Sequence, residues 1–293
     1  MKEFIENEFL KVGINLTGGS LTSIFDKKKN EEILYQPEPE SWQGQDVAIF
    51  PFVARLKNKK FEYKGKEYSL RTHGLCRYND FKIVEKAYDS LTILFSSIEE
   101  TLKEYPFEFD FYAKYFLENK VLKVEFDVVN KSKETMPFGI GAHPSFKVNP
   151  SIIDGEFSTN GNFIEFSKPI SLTRICFDEK GEVVVGEEPF GVKKEIEIDK
   201  HMFMKYKTLC VKGDGLNNVV LKRKDGYRVQ FYYDNINYFV LWSFVENGGF
   251  AAIESWASLP DSIDADIDIM KKRTLIHLPK GESYKFSYSI AIE

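Results

Sequence analysis

Two of the four histidines in this 293-residue chain stand where packing alone does not call for them. His73 lies in Arg71-Thr72-His73-Gly74 and His143 in Gly141-Ala142-His143-Pro144. Gly and Pro punctuate regular structure, so both belong at strand ends or in loops. Functional groups concentrate in such segments. Histidine is also the side chain that exchanges a proton near neutral pH without help from its surroundings. Glu254 supplies a third group. It ends the apolar run Phe250-Ala251-Ala252-Ile253, before the chain breaks at Leu259-Pro260. A carboxylate so placed is partly desolvated, which raises its pKa and makes it a stronger base at neutrality. Histidine and carboxylate together could hold and move a proton. The rival readings are hydrogen-bonded structural histidines and an exposed strand-end glutamate.

Arg55 closes Ile49-Phe50-Pro51-Phe52-Val53-Ala54-Arg55 and could offer a fixed fork of donors to a polar ligand. Solvation at the surface is its alternative. His201 and His277 have weaker claims, the latter lying between Ile276 and Leu278 in a strand-like run. Other motifs fail. Asp264, Asp266 and Asp268 imitate the start of a calcium loop, but Ile269 stands where its glycine belongs and Leu275 where its glutamate belongs. Gly213-Asp214-Gly215 lacks the rest of a dinucleotide fingerprint. A metal site from His73, His143 and Glu254 would need all three to converge, with no ligand spacing to support it, so neither a metal nor a cofactor is expected.

The elements that must position these groups read as strands. Leu122, Val124, Phe126 and Val128 alternate with Lys123, Glu125 and Asp127, the pattern of a half-buried strand. Glu118-Asn119-Lys120 turns it against a strand over 107–117. Asp225-Gly226 and Lys64-Gly65 mark two more hairpins, and Asn247-Gly248-Gly249 a turn between strands over 238–245 and 250–254. Tyr284, Phe286, Tyr288, Ile290 and Ile292 close the chain as a last strand. No amphipathic helix of three or more turns is evident. Strands joined by short turns make antiparallel sheets. So many of them predict an all-β fold, a large antiparallel β-sandwich, with residues 1–293 forming one domain.

Composition narrows the partners. A net charge of −5 excludes a nucleic-acid phosphate backbone as the main partner. The longest apolar run, Tyr238 to Trp242, is too short to cross a bilayer. The N-terminus lacks a signal-peptide core, and Cys76, Cys176 and Cys210 are odd in number and scattered. Both features predict reduced thiols in a cytoplasm.

The same segments, taken in order, resemble a known family. Phe50-Pro51 to Arg55, then Tyr63-Lys64-Gly65-Lys66 to His73-Gly74, looks like the N-terminal signature of the aldose 1-epimerase (galactose mutarotase) family. Ala142-His143-Pro144-Ser145-Phe146 is similar to its second histidine segment, and Ile253-Glu254-Ser255-Trp256 to its glutamate segment. Thr17-Gly18-Gly19-Ser20-Leu21 resembles its opening strands. The resemblance implies a β-sandwich with a cleft on one sheet, and cofactor-free interconversion of the α and β anomers of a sugar. It makes Glu254 the base at the anomeric hydroxyl, His143 the acid at the ring oxygen, and His73 and Arg55 holders of sugar hydroxyls. Trp42, Trp256 or Phe146 could offer a sugar an apolar platform.

The chain departs from the family at Lys200-His201-Met202-Phe203, where lysine occupies the position of an aspartate that contacts the sugar. Asp199, one residue earlier, is the candidate replacement. Ser255 follows the glutamate where proline is common. These departures place the chain in a divergent branch and leave the sugar open. The resemblance implies a small-molecule sugar as partner, bound by a monomer or homodimer; Arg71 and Arg77 flank His73 and admit a sugar phosphate, with two solvated surface arginines as the alternative. The alternatives are a non-catalytic carbohydrate-binding protein on the same fold and a metal-dependent enzyme.

Overall fold

The computed structural model describes residues 1–39, 41–148, 151–153, 156–158, 161–234, 236–244 and 249–293. The chain folds as an antiparallel β-sandwich. One long sheet of 15 strands runs from the short edge strand Ala48–Ile49 to the edge strand Lys82–Lys86. A 4-stranded sheet formed by residues 2–32 lies against it. Inward side chains of that smaller sheet, among them Ile5, Val12, Ile14 and Ile24, share one core with Leu91, Phe111, Val124 and Phe286 of the long sheet. The α-helices are short, Glu99–Glu104 and Lys200–Tyr206.

Local sequence explains the elements that frame the site. Strand Phe109–Glu118 pairs with Val121–Asn130 across a tight turn, with Asn119 in the left-handed conformation at φ 52°. The buried side chains Leu122, Val124, Phe126 and Val128 point inward as their alternation predicts. Lys64-Gly65 joins Lys60–Tyr63 to Lys66–Ser69, and Asp225-Gly226 joins Asn218–Lys222 to Arg228–Asp234, as expected. The turn expected at Asn247-Gly248-Gly249 falls largely outside the described residues. Phe163–Phe177 and Val184–Glu197 form a long hairpin whose outer strand is mostly exposed.

At one end of the long sheet, Gly141–Ala142 lies between Ala48–Ile49 and Phe250–Trp256. Gly141 is needed there: a Cβ would come within 2.7 Å of the Ser255 carbonyl oxygen. Phe50 anchors the neighbouring segment, its ring 4.8 Å from Phe109 and 5.2 Å from Phe111. Burial of such a ring contributes roughly 1.5–3 kcal/mol. The chain just beyond it, residues 51–55, is thereby held against the mouth of the sheet.

Candidate active site

Strand Phe250–Trp256 is buried at every position. Side chains of a strand alternate between faces, so Ala252, Glu254 and Trp256 share one face. Their neighbour Tyr238–Trp242 pairs Val240 with Glu254 and Trp242 with Ala252, bringing Trp242 to the same face. On the other side, the ladder of Gly141–Ala142 ends at His143 and Pro144. The imidazole of His143 meets the carboxylate, Nε2 to Oε1 at 3.2 Å. Trp256 donates its indole N–H to the other oxygen, Oε2, at 2.9 Å.

His73 reaches this pair from a loop. Its backbone sits in the left-handed region at φ 64°, a strained choice for a residue with a Cβ. Three contacts hold it there. Its N–H donates to the Ala54 carbonyl at 2.9 Å, and its carbonyl accepts from Phe50 at 3.3 Å. The Ala54 N–H donates to His73 Nδ1 at 3.3 Å. Gly74 follows at φ 76°, where a Cβ would lie 2.5 Å from the Phe50 oxygen. Since Nδ1 accepts, the ring proton sits on Nε2. The His73 and His143 rings meet edge to face, centroids 5.5 Å apart.

These groups line a cleft of about 320 Å³. The chain has only three tryptophans, and all three, Trp42, Trp242 and Trp256, line it. Trp42 and Trp242 also flank the His143 ring, at 5.2 and 5.6 Å between centroids. Arg55 and Arg77 stand in the wall. Arg55 is ion-paired with Glu182, which sits in the turn of the long hairpin. That turn is pinned by Asp178, whose carboxylate accepts the N–H of Glu182 at 2.7 Å. Arg77 lies over the Tyr78 ring at 5.6 Å and pairs with no carboxylate among the described residues.

Burial dominates the electrostatics. It pushes Glu254 well above the usual carboxylate range, and the nearby negative charge of Asp46 pushes the same way against the Trp256 hydrogen bond. It drives His143 down to about 3, with the Arg77 guanidinium adding to the effect. His73 is lowered by burial and then by the charges of His143, Arg77 and Arg55. Burial thus favours the neutral form of His73, His143 and Glu254 alike. Among the described residues no three His, Cys, Asp or Glu side chains are grouped to hold a metal ion.

The structure thus brings together four of the sequence-derived candidates: Glu254, His143, His73 and Arg55. It does not bring Asp199 to them. Asp199 precedes helix Lys200–Tyr206, contacts the ring of the exposed His201 at 3.2 Å, and is absent from the cleft lining. Phe146 is not a platform either, because its ring is fully buried against Phe231. Arg71 faces a separate pocket, stacked on Tyr78 at 3.7 Å. Sequence reasoning missed Trp242, Glu182 and the buried Asp46. The scarcity of tryptophan in a phenylalanine-rich chain was a usable signal for the first. Glu182 lies 127 positions from its partner and left no trace.

Fold and site define an all-β protein with a buried histidine–carboxylate pair in an aromatic cleft. The family model described as aldose 1-epimerase matches residues 3–291, and the chain belongs to that family. A solved structure described as a galactose mutarotase related enzyme from Lactobacillus acidophilus superposes with a TM-score of 0.92 at 30% identity, covering 100% of this chain and 97% of that one. A galactose mutarotase-like protein from Lactobacillus casei superposes at 0.91 with 22% identity, all of both chains being covered, and shows the shared fold. Protein LacX (plasmid) of Lactococcus lactis is 29% identical over 98% of both chains. No helix among the described residues is long and apolar enough to cross a membrane.

Proposed function

We propose that the protein interconverts the α and β anomers of an aldose, or of a phosphorylated hexose, by acid–base ring opening without a cofactor. The observation that carries this reading is the 3.2 Å contact of His143 with Glu254 at the floor of a cleft lined by every tryptophan of the chain.

Passage of the shared proton along that contact gives a carboxylate and an imidazolium. The Glu254 carboxylate takes the proton of the anomeric hydroxyl, and the C1–O1 bond becomes a carbonyl. The C1–O5 bond breaks, its electron pair goes to the ring oxygen, and His143 protonates that oxygen. The aldehyde turns about C1–C2 and recloses on its other face as the two groups act in reverse. Each positioned proton-transfer group typically contributes ~10²–10⁴-fold. His73 offers its Nε2–H to a sugar hydroxyl, Arg55 offers donors fixed by Glu182, and the indole faces cover the apolar side of the ring. Arg77, which pairs with no carboxylate among the described residues, is the reason to include phosphorylated sugars.

The test is a panel of free and 6-phosphorylated aldoses, with anomer exchange followed by NMR against the spontaneous rate. Acceleration on at least one is expected. Sugar binding without acceleration on any would replace this reading with that of a carbohydrate-binding protein.

A further inference from the structure

Asp46 is a carboxylate only 6% exposed, for which the proposed reaction has no use. No cation pairs with it among the described residues. Its oxygens accept backbone N–H groups instead, from Leu21 at 2.9 Å and Val47 at 2.8 Å, and the His143 N–H lies close enough to favour the charged carboxylate. The last contact has a local cause. Residues 45–49 run antiparallel to 141–145, with Ala48 paired to Ala142 and the Ser145 N–H donating to Gln45 at 2.8 Å. Pro144 lies between and has no N–H to offer. The ladder lapses there, and Asp46 and His143 face each other between the Ala48–Ala142 pair and the Ser145–Gln45 bond. Leu21 belongs to the smaller sheet, in strand Ser20–Asp26, so Asp46 ties both sheets to the histidine.

The groups that face Asp46 are Glu254 from Phe250–Trp256, Tyr115 from Phe109–Glu118, and Tyr288 from Ser283–Ile292. Cys76 neighbours Tyr115, and Tyr233 neighbours Tyr288. Burial raises all four of the Tyr and Cys groups and keeps them uncharged at neutral pH. Of these neighbours Glu254 is the one that lines the cleft, together with the cations Arg55 and Arg77. Asp46 itself is lifted by burial to about 6, its three N–H donors pulling the other way.

We infer that Asp46 is a positioning residue for the proton-transfer pair: it fixes His143 through the backbone and, when ionised, holds the shared proton on the pair. The inference rests on the proposed roles of His143 and Glu254. In Asp46→Asn the kcat for anomer exchange should fall tenfold or more, the loss expected when reacting groups shift by a fraction of an ångström, roughly. KM should stay within about twofold, because the sugar-facing donors are untouched.

A structural role alone has no set sign for the titration of Glu254, whereas loss of a nearby negative charge lowers its midpoint. The deciding measurement is therefore the ¹³C carboxyl shift of Glu254 against pH, assigned by its loss in Glu254→Gln. It should titrate at lower pH in Asp46→Asn, by about half a unit or more. An unmoved midpoint overturns the inference. This readout needs no substrate, so it separates failure here from failure of the proposed activity. Should Asp46→Asn not fold, the wild-type Glu254 signal should show a step near 6 as Asp46 ionises. A titration curve without that step also overturns it.

Discussion

His143 Nε2 and Glu254 Oε1 lie 3.2 Å apart in a site where both side chains are almost wholly shielded from water. Two strands of one sheet create the contact, with the histidine at the end of Gly141–Ala142 and the glutamate inside Phe250–Trp256. The Trp256 indole N–H holds the second carboxylate oxygen, so Oε1 alone meets the histidine. Burial favours the neutral form of each partner.

Glu254→Gln and His143→Asn should each cut anomer exchange by ~10²-fold or more while sugar binding persists. Neither loss should come from unfolding. Glu254 has its pKa raised in the fold, so at neutral pH its carboxylate costs stability rather than adding it. Thermal melts should accordingly show Glu254→Gln as stable as wild type or more so. Wild-type exchange rates in either variant would sink the role assignment.

The pH dependence follows from the same burial. His143, held at about 3, should stay neutral across the range in which histidines ordinarily titrate. Its ring resonances should not show the full shift of imidazole protonation between roughly pH 5 and 8. A depressed folded pKa gives stability that is complete above the ordinary value of 6.5 and is lost as pH falls towards about 3. His143→Asn should therefore lose less of its melting temperature than wild type between neutrality and about pH 4. On the alkaline side, exchange should fall as pH rises through the raised value of Glu254, where the pair gives up its only proton. A His143 resonance titrating near 6.5 would contradict this account.

Much of this architecture was legible because it is local. Alternation at Leu122–Val128 and the Asn119, Lys64-Gly65 and Asp225-Gly226 turns specify strands without reference to the rest of the chain. His73, His143, Glu254 and Arg55 stood out because each breaks an apolar or Gly/Pro-marked segment, and the fold places all four in one cleft. Asp199 stood out only by its nearness to the expected position, and nearness in sequence did not bring it to the cleft. Glu182 and Asp46 were invisible for a different reason. One acts across a hairpin 14 to 15 residues long on each side, the other across a lapse in a ladder, and neither relation leaves a periodic signal.

Glu182→Gln tests whether the hairpin turn tunes the site. Arg55 and Glu182 are 40% and 37% exposed, so their pairing contributes only about 0–1 kcal/mol to stability. The melting temperature should move by less than about 4 °C. Arg55 would nevertheless lose the partner that orients it, and KM should rise several-fold with kcat nearly unchanged. Arg55→Lys should act on KM in the same way, and the double variant should be no worse than Arg55→Lys alone, as for two residues in one interaction. Additive losses would show that Glu182 acts elsewhere.

Lys272→Met should be the most damaging of these changes to the fold. Lys272 and Asp261 form a buried pair with side chains 4% and 3% exposed, the ammonium bonding both carboxylate oxygens at 2.8 and 2.7 Å. The same carboxylate accepts the Lys57 N–H at 2.9 Å, and the Asp261 N–H donates to the Arg55 carbonyl at 3.3 Å. Removing the lysine strands a buried anion against the segment that carries Arg55, at a cost of about 3–5 kcal/mol. Burial already raises Asp261 above its ordinary value, and loss of the cation must raise it further. A group with a raised folded pKa stabilises the fold as pH falls through that value, so the deficit of the variant should shrink in acid. Denaturant melts of both proteins at neutral and acid pH measure it. A deficit that is small, or that stays constant with pH, would mean that Asp261 finds water or another donor once the lysine is gone.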